Sequence, residues 1–278
     1  MNIQLIIIAV VILAVTGAIA ALMLAIASKV FAVPVDEKET QIRECLPGAN
    51  CGACGFSGCD GYAAALAKGE TTNTALCNPG GNDAAKAISE ILGVEAQTVK
   101  PVAAIVLCRG HNGNSVQKLE YQGIRSCRMA SQVFGGPKEC IYGCVGYGDC
   151  MNVCEYGAIK ICDGIARIDP HLCRACKKCV STCPKGLIEM LPLEETEAAV
   201  LCKNHDKGAQ TRKECSAGCI GCMKCVKTCE QEAITIDRFC AKVDYEKCIG
   251  CGKCHESCPV GAIDLVSLTK KTAVSVSA

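Results

Sequence analysis

The chain has 278 residues, 27 of them cysteine, with no tryptophan, four phenylalanines and a formal charge of +1. So few aromatics leave an ordinary hydrophobic core of this length short of bulk, and so balanced a charge excludes a basic nucleic-acid surface. Ligating thiols are deprotonated: a cube of about +2 in four thiolates carries about −2, so five cubes would bring the true charge to roughly −9.

Residues Leu5 to Ser28 contain no charge, and Thr16 is nearly their only polar side chain. At about 1.5 Å per residue they span roughly 36 Å, enough to cross a bilayer. A cleaved signal needs a basic start and a shorter apolar run; Met1-Asn2-Ile3-Gln4 has no basic side chain. A retained transmembrane anchor is therefore expected over 1–33. Lys29, Lys38 and Arg43 follow it and none precede it, which predicts a single-pass cell (inner) membrane protein with the bulk of the chain cytoplasmic. Gly17, Ala21 and Ala25 form a small-xxx-small stripe on that helix.

Residues 34–44 read as a charged linker. Then comes Cys51-Gly-Ala-Cys54-Gly-Phe-Ser-Gly-Cys59, with Cys77 beyond, in a predicted small four-Cys domain over 45–95. Helices are expected from Asp60 to Lys68 and from Asn82 to Gly93, the second capped by Asn82 or Asp83. A connecting segment, 96–137, holds a short strand at Ala103–Leu107.

Two later runs are more telling: Cys173-x2-Cys176-x2-Cys179-x3-Cys183-Pro184 and Cys248-x2-Cys251-x2-Cys254-x3-Cys258-Pro259. This is the bacterial ferredoxin spacing, in which three close thiolates hold one [4Fe–4S] cube and the fourth reaches to another. Structural zinc prefers two Cys pairs across a longer loop. Disulfides need an oxidising compartment and cysteines better placed to pair. The chain is read as one that moves single electrons.

A shift of 75 residues exposes a duplication. Lys138-Glu139-Cys140-x2-Gly143-Cys144-x-Gly146 lies over Lys213-Glu214-Cys215-x2-Gly218-Cys219-x-Gly221, and 22 of 54 positions agree between 138–191 and 213–266. These are two tandem two-cluster ferredoxin-like units, separated by a connecting insertion at 192–212 and followed by a tail at 267–278. In each, a strand–turn–strand pattern lies between the cysteine runs: Ala158–Ile161 with Ile165–Ile168, and Ala233–Ile236 with Ala241–Val243. The expected fold is α+β, in small modules stabilised by their clusters rather than by a large core.

Crossover ligation assigns Cys219, Cys222, Cys225 and Cys258 to one cube, and Cys229, Cys248, Cys251 and Cys254 to its companion. In the first unit Cys154, Cys173, Cys176 and Cys179 form one cube. The other should use Cys144, Cys150 and Cys183, but Tyr147 stands at the Cys222 position, and Cys140 is the substitute chosen here. With the Cys51, Cys54, Cys59 and Cys77 set this makes at least five [4Fe–4S] clusters. Cys45, Cys162 and Cys240 are left over, as are Cys108, Cys127, Cys202 and Cys215. Cys127 and Cys202 repeat at the duplication offset, so this last group is the candidate for a sixth cluster. Burial as small apolar side chains is the alternative.

Arg174, Lys177, Lys178 and Lys185 make one run basic: either a solvated face or a docking patch for an acidic electron carrier. His111 and His205 each follow a cysteine by three residues and read as loop histidines. No dinucleotide fingerprint or P-loop is present, so no direct NAD binding is expected.

The apolar anchor, the Cys51–Cys77 motif and the ferredoxin repeats together resemble the B-subunit family of Rnf complexes over nearly the whole chain. Two ferredoxin pairs, rather than one, make it similar to the longer forms of that family. The resemblance implies an electron-transfer subunit of a membrane ferredoxin:NAD+ oxidoreductase that translocates Na+ or H+. Its donor would be reduced ferredoxin, its partners the other Rnf subunits, and substrate-converting sites would lie on those partners. A polyferredoxin subunit of another membrane oxidoreductase is the alternative, and an iron–sulfur redox sensor a more distant one.

Overall fold

The computed structural model describes residues 3–30, 36–192 and 197–267. Residues 1–2, 31–35, 193–196 and 268–278 lie outside it, taking with them Pro34 and Val35 of the expected linker and nearly all of the tail. Helix α1 (Ile3–Val30) contains the apolar stretch Val10–Ser28, of mean hydropathy 2.7 with none of it buried. It is the one described helix long and apolar enough to cross a membrane.

The four-Cys domain starts earlier than its first motif cysteine. Helix α2 (Glu37–Cys45) occupies most of the stretch expected to be a linker. Asp36 caps it by accepting from the Lys38 N–H, Glu37 and Glu39 lie in its first turn and Arg43 in its last, a charge order that suits the helix dipole. Its single aliphatic side chain, Ile42, is fully buried against Tyr62, Leu66 and Ile88. One apolar residue in a charged nonamer gives no periodicity, which is why this helix is not visible in the sequence. Helices α3 (Cys59–Ala67) and α4 (Gly81–Leu92) match expectation, except that Gly80 rather than Asn82 or Asp83 is the cap of α4. The Asn82 side chain instead accepts from the Val99 N–H.

Four two-stranded antiparallel sheets follow. Hairpin β2 (Ile159–Cys162) with β3 (Ile165–Ile168) and hairpin β6 (Ile234–Asp237) with β7 (Cys240–Val243) fall where expected. Asp163 and Gly164 both have positive φ, the backbone a two-residue hairpin turn requires. The remaining strands lengthen the repeat. Strand β1 (Val102–Val106) pairs with β4 (Ile188–Pro192), and β5 (Glu197–Val200), from the expected connecting insertion, pairs with β8 (Ile263–Val266). Each unit is thus closed by a strand that precedes its first cysteine run. Leu107 N–H donates to Leu187 O and Leu201 N–H to Ala262 O, both at 2.7 Å, so Leu107-Cys108 is the structural counterpart of Leu201-Cys202.

Helices α5 (Cys127–Gln132) and α8 (Gly208–Glu214) lead into the units. Four one-turn helices carry the cysteine runs: α6 (Asp149–Asn152), α7 (Lys178–Thr182), α9 (Lys224–Thr228) and α10 (Lys253–Ser257). Each unit core gathers cysteines with a few aliphatics, such as Cys150 and Cys179 with Ile159, Ile165, Leu187 and Ile188. Leu107, Leu191 and Leu201 pack between the units with Ala103 and Ala199.

Candidate metal centres

Each one-turn helix follows a residue with positive φ: Gly148, Lys177, Met223 and Gly252. That entry turn carries the chain round the preceding cysteines and starts a helix bearing the next one. In α7, α9 and α10 the helix then ends on a cysteine, at Cys183, Cys229 and Cys258. Four residues along one turn displace a side chain by about 5–6 Å, which sends the two thiols of each helix to different cavities.

Those cavities sort the cysteines. Cys154, Cys173, Cys176 and Cys179 line one, Cys219, Cys222, Cys225 and Cys258 a second, and Cys229, Cys248, Cys251 and Cys254 a third. In the N-terminal domain, burial foremost, and then Cys59, Cys54 and Cys51, push the Cys77 thiol up.

Two further cavities exchange one cysteine relative to the sequence reading. Cys127, not Cys140, joins Cys144, Cys150 and Cys183; burial, then Cys144, Cys127 and Cys183, push Cys150 up to about 12. Cys140 instead faces Cys108, Cys202 and Cys215, and burial with Cys202 and Cys108 pushes it up to about 12. The 75-residue alignment misleads here. Cys108 to Cys140 is 32 residues but Cys202 to Cys215 only 13, so the first unit carries 19 extra residues, which include α5. Ser126 Oγ and Arg128 N–H donate to Asp149 Oδ2 at 2.8 and 3.1 Å, fastening α5 beside α6. Tyr147 packs on Tyr121, with centroids 5.8 Å apart, and lies under Arg125. The insertion therefore sits on the aromatic ring that replaced a cysteine, and brings Cys127 in its place.

The Cys108, Cys140, Cys202 and Cys215 set takes two thiols from each unit and is nearly two-fold symmetric. Gly110 and Cys144 N–H groups donate to Cys108 Sγ, both at 3.4 Å. Asn204 and Cys219 N–H groups donate to Cys202 Sγ at 3.4 and 3.3 Å. Across the interface Arg109 Nη1 donates to Gly261 O at 2.7 Å and Lys203 Nζ to Gly186 O at 2.9 Å. Elsewhere Ala104 donates to Cys173, Ala166 to Cys144, Leu187 to Cys183, Ala241 to Cys219 and Ala262 to Cys258. Amide hydrogens aimed at thiolate sulfur are what an anionic iron–sulfur centre requires of its surroundings. Among the described residues no three His, Cys, Asp or Glu side chains converge closely enough for a single ion. Thiols set round cavities fit a [4Fe–4S] cube better than zinc.

Cys45, Cys162 and Cys240 stay outside these sets. Cys240 is buried and donates to Cys202 O at 3.2 Å; separately, side-chain hydrogen bonding with Cys240 lowers the Cys202 and Cys219 thiols. The three lysines of the basic run are engaged within the chain. Lys177 Nζ donates to Ala53 O in the four-Cys domain at 3.1 Å, Lys178 pairs with Glu155, and Lys185 Nζ binds Gly135 O and Ile141 O. His111 pairs with Asp163 at 2.8 Å, and His205 lies edge-on to Tyr142.

Comparison with known proteins agrees with this architecture. A family model described as an Fe-S cluster matches residues 46–79, and models described as 4Fe-4S binding domains match 170–186, 216–232 and 241–264. The chain is 44% identical over 237 residues, 85% of its own length and 71% of the relative's, to the B subunit of the Na(+)-translocating ferredoxin:NAD(+) oxidoreductase complex of Acetobacterium woodii. The chain belongs to the B-subunit family of Rnf complexes. It is also 38% identical to the B subunit of the ion-translocating oxidoreductase complex of Methanosarcina acetivorans, over 85% of this chain and 89% of that one. Identity to the proton-translocating counterpart of Clostridium ljungdahlii is 37%, over 84% and 82%. These relatives span both coupling ions, so membership alone leaves the ion open. The matched 4Fe-4S binding domains make this an iron–sulfur subunit.

Proposed function

We propose that the chain is a single-pass membrane subunit whose cytoplasmic part holds six [4Fe–4S] centres in file. It would take electrons from reduced ferredoxin and relay them to the other subunits of an ion-translocating ferredoxin:NAD+ oxidoreductase. The observation that supports this best is the Cys108, Cys140, Cys202 and Cys215 set, which joins the two units into one path. Bound clusters would supply one-electron transfer without proton or atom transfer.

The protein's part is order and environment. Cys51 lies close enough to Cys176 to raise its thiol, after burial, which brings the four-Cys domain against the 154/173/176/179 set. Cys179 acts on Cys150 and Cys108 on Cys144 in the same way. Cys202 accepts the Cys219 N–H, and interlocked helices α9 and α10 join the last two sets. The order is then 229/248/251/254, 219/222/225/258, 108/140/202/215, 127/144/150/183, 154/173/176/179 and 51/54/59/77, ending in the domain that follows α1. A redox sensor needs one exposed, labile centre; a file ending near a membrane helix serves conduction.

Anaerobically purified full-length chain should contain about twenty-four irons, four per cube, and reduced ferredoxin should reduce it. Purified complex lacking this chain should lose ferredoxin-dependent NAD+ reduction and regain it on adding the chain back. A folded, iron-free chain that still restored activity would refute the proposal.

A further inference from the structure

The duplication placed the same Lys-Glu-Cys tripeptide beside the central set twice, and the two copies bury opposite charges. Lys138 is 5% exposed while Glu139 is exposed; Glu214 is 6% exposed while Lys213 is exposed. Lys138 Nζ donates to Gly110 O at 2.7 Å and Gly164 O at 2.9 Å, and among the described residues it makes no ion pair. A buried ammonium costs several kcal/mol unless an opposite charge compensates it. The anions available to it are the thiolates: Lys138 lines the 108/140/202/215 cavity and is close enough to Cys144 and Cys215 to lower both thiols against the larger effect of burial.

Glu214 reaches the same set through Asn204. Its Oε2 accepts from Asn204 Nδ2 at 2.8 Å and its Oε1 from Gln210 Nε2 at 2.8 Å. The same Asn204 Nδ2 donates to Cys140 Sγ at 3.5 Å, so the carboxylate is one side chain away from a ligand sulfur.

We propose that Lys138 and Glu214 are positioning charges that tilt the duplicated path. Lys138 makes the 127/144/150/183 centre easier to reduce than its duplicate, the 219/222/225/258 centre, and Glu214 holds the central potential down against Lys138. The cation lies between the central and 127/144/150/183 sets, whereas Lys213, its counterpart in the second unit, points into water. Adding one electron to a cube that already carries about −2 is favoured beside a buried ammonium and opposed beside a buried carboxylate. The two centres also differ in one thiol, Cys127 against Cys222, but that exchange leaves the ligand charge unchanged, whereas Lys138 and Glu214 place opposite formal charges in the two units. This pair favours flow from the second unit to the first, toward α1.

The inference rests on the six-centre reading above, and the test separates the two. Full-length chain in detergent is first assayed for iron and sulfide; an unmodified chain far below about twenty-four irons would fail that reading and not this one. Midpoint potentials are then followed by EPR-monitored redox titration. In Lys138→Met two midpoints should move negative, by about tenfold in reduction constant, which is 59 mV for one electron; Lys138→Arg should restore them. In Glu214→Gln one midpoint should move positive. Full iron with unmoved midpoints in Lys138→Met overturns the proposal, as does a shift that Lys138→Arg leaves in place. If Lys138→Met loses iron, Glu214→Gln decides alone: a single positive shift supports the tilt and none overturns it.

Discussion

The exchange of Cys127 and Cys140 can be tested by counting. If Cys140 serves the central set, Cys140→Ala and Cys183→Ala empty different cavities. Each single variant should then hold about twenty irons and the double variant about sixteen, four being lost per cube. If Cys140 served the same cube as Cys183, the double variant would lose no more than either single one. The count is interpretable only if the units stay docked without the central cube. Leu107, Leu191 and Leu201 are buried between them, worth about 1.5–3 kcal/mol each. Hydrogen bonds from Arg109 to Gly261, Lys203 to Gly186, Ser216 to Asn114 and Val116 to Glu214 also cross the interface, each worth about 1 kcal/mol net. That sum, roughly 8–13 kcal/mol before side-chain ordering, keeps the fold while one site is lost. Iron and sulfide analysis with spin integration reads the outcome. A second arm uses the duplication: Tyr147 occupies the position of Cys222, so Cys127→Ala should fall to about twenty irons and Cys127→Ala/Tyr147→Cys should recover about twenty-four. Equal iron in the Cys140→Ala, Cys183→Ala and double variants would refute the reasoning.

Three further outcomes are expected. A Cβ at Gly146, whose φ is +84°, would stand 2.3 Å from Gly164 O in the hairpin turn; Gly146→Ala should cost 2 kcal/mol or more, roughly, and lower both melting temperature and iron content, while Gly157→Ala, with open space around it, should pay only its backbone cost. Lys177→Glu should weaken docking of the four-Cys domain through the lost Lys177–Ala53 contact, seen as reduced spin–spin coupling between the 51/54/59/77 and 154/173/176/179 centres; slower ferredoxin reduction at low salt with unchanged coupling would return that lysine to a docking role. Burial pushes Cys150 and Cys179 up to about 12 and Cys144 and Cys225 to about 11, so ligation at neutral pH releases protons; cluster binding should weaken as pH falls, with chelator-driven bleaching faster at pH 6 than at pH 8, and the bleached soluble part should lose its circular dichroism.

Much of this was readable because cysteine spacing is chemistry and geometry at once. The Cys-x2-Cys-x2-Cys-x3-Cys-Pro runs predict three thiols round one cavity and a fourth one helical turn away; α7 and α10 have that arrangement, and α9 has it in a run that ends Cys229-Glu230 without the proline. The hairpins were equally legible from period-two alternation and the Asp163-Gly164 turn. Helix α2 was not, since Ile42 is its sole anchor and its partners, Tyr62, Leu66 and Ile88, come from two other helices. Strand β5 was hidden by the uninterrupted 75-residue offset, which ends where the true repeat does not.

That offset also explains why the sequence reading and the cavities place Cys127 and Cys140 differently. Counting from Cys140 and Cys215 makes Cys127 the partner of Cys202, whereas counting from the strands makes Cys108 its partner. Spatial equivalence follows the strands, because Leu107 and Leu201 donate to matching carbonyls, and Cys108 and Cys202 accept from matching amides. The signal available in the sequence was the pair Leu107-Cys108-Arg109-Gly110-His111 and Leu201-Cys202-Lys203-Asn204-His205, five residues sharing three identities and one Arg–Lys exchange. Placing that pair in register leaves 19 residues unmatched in the first unit and one ligand, Cys222, unmatched in the second. The insertion brings Cys127 into the cavity of Cys144, Cys150 and Cys183. Cys140 instead lines a cavity with Cys108, Cys202 and Cys215, to which each unit contributes two thiols.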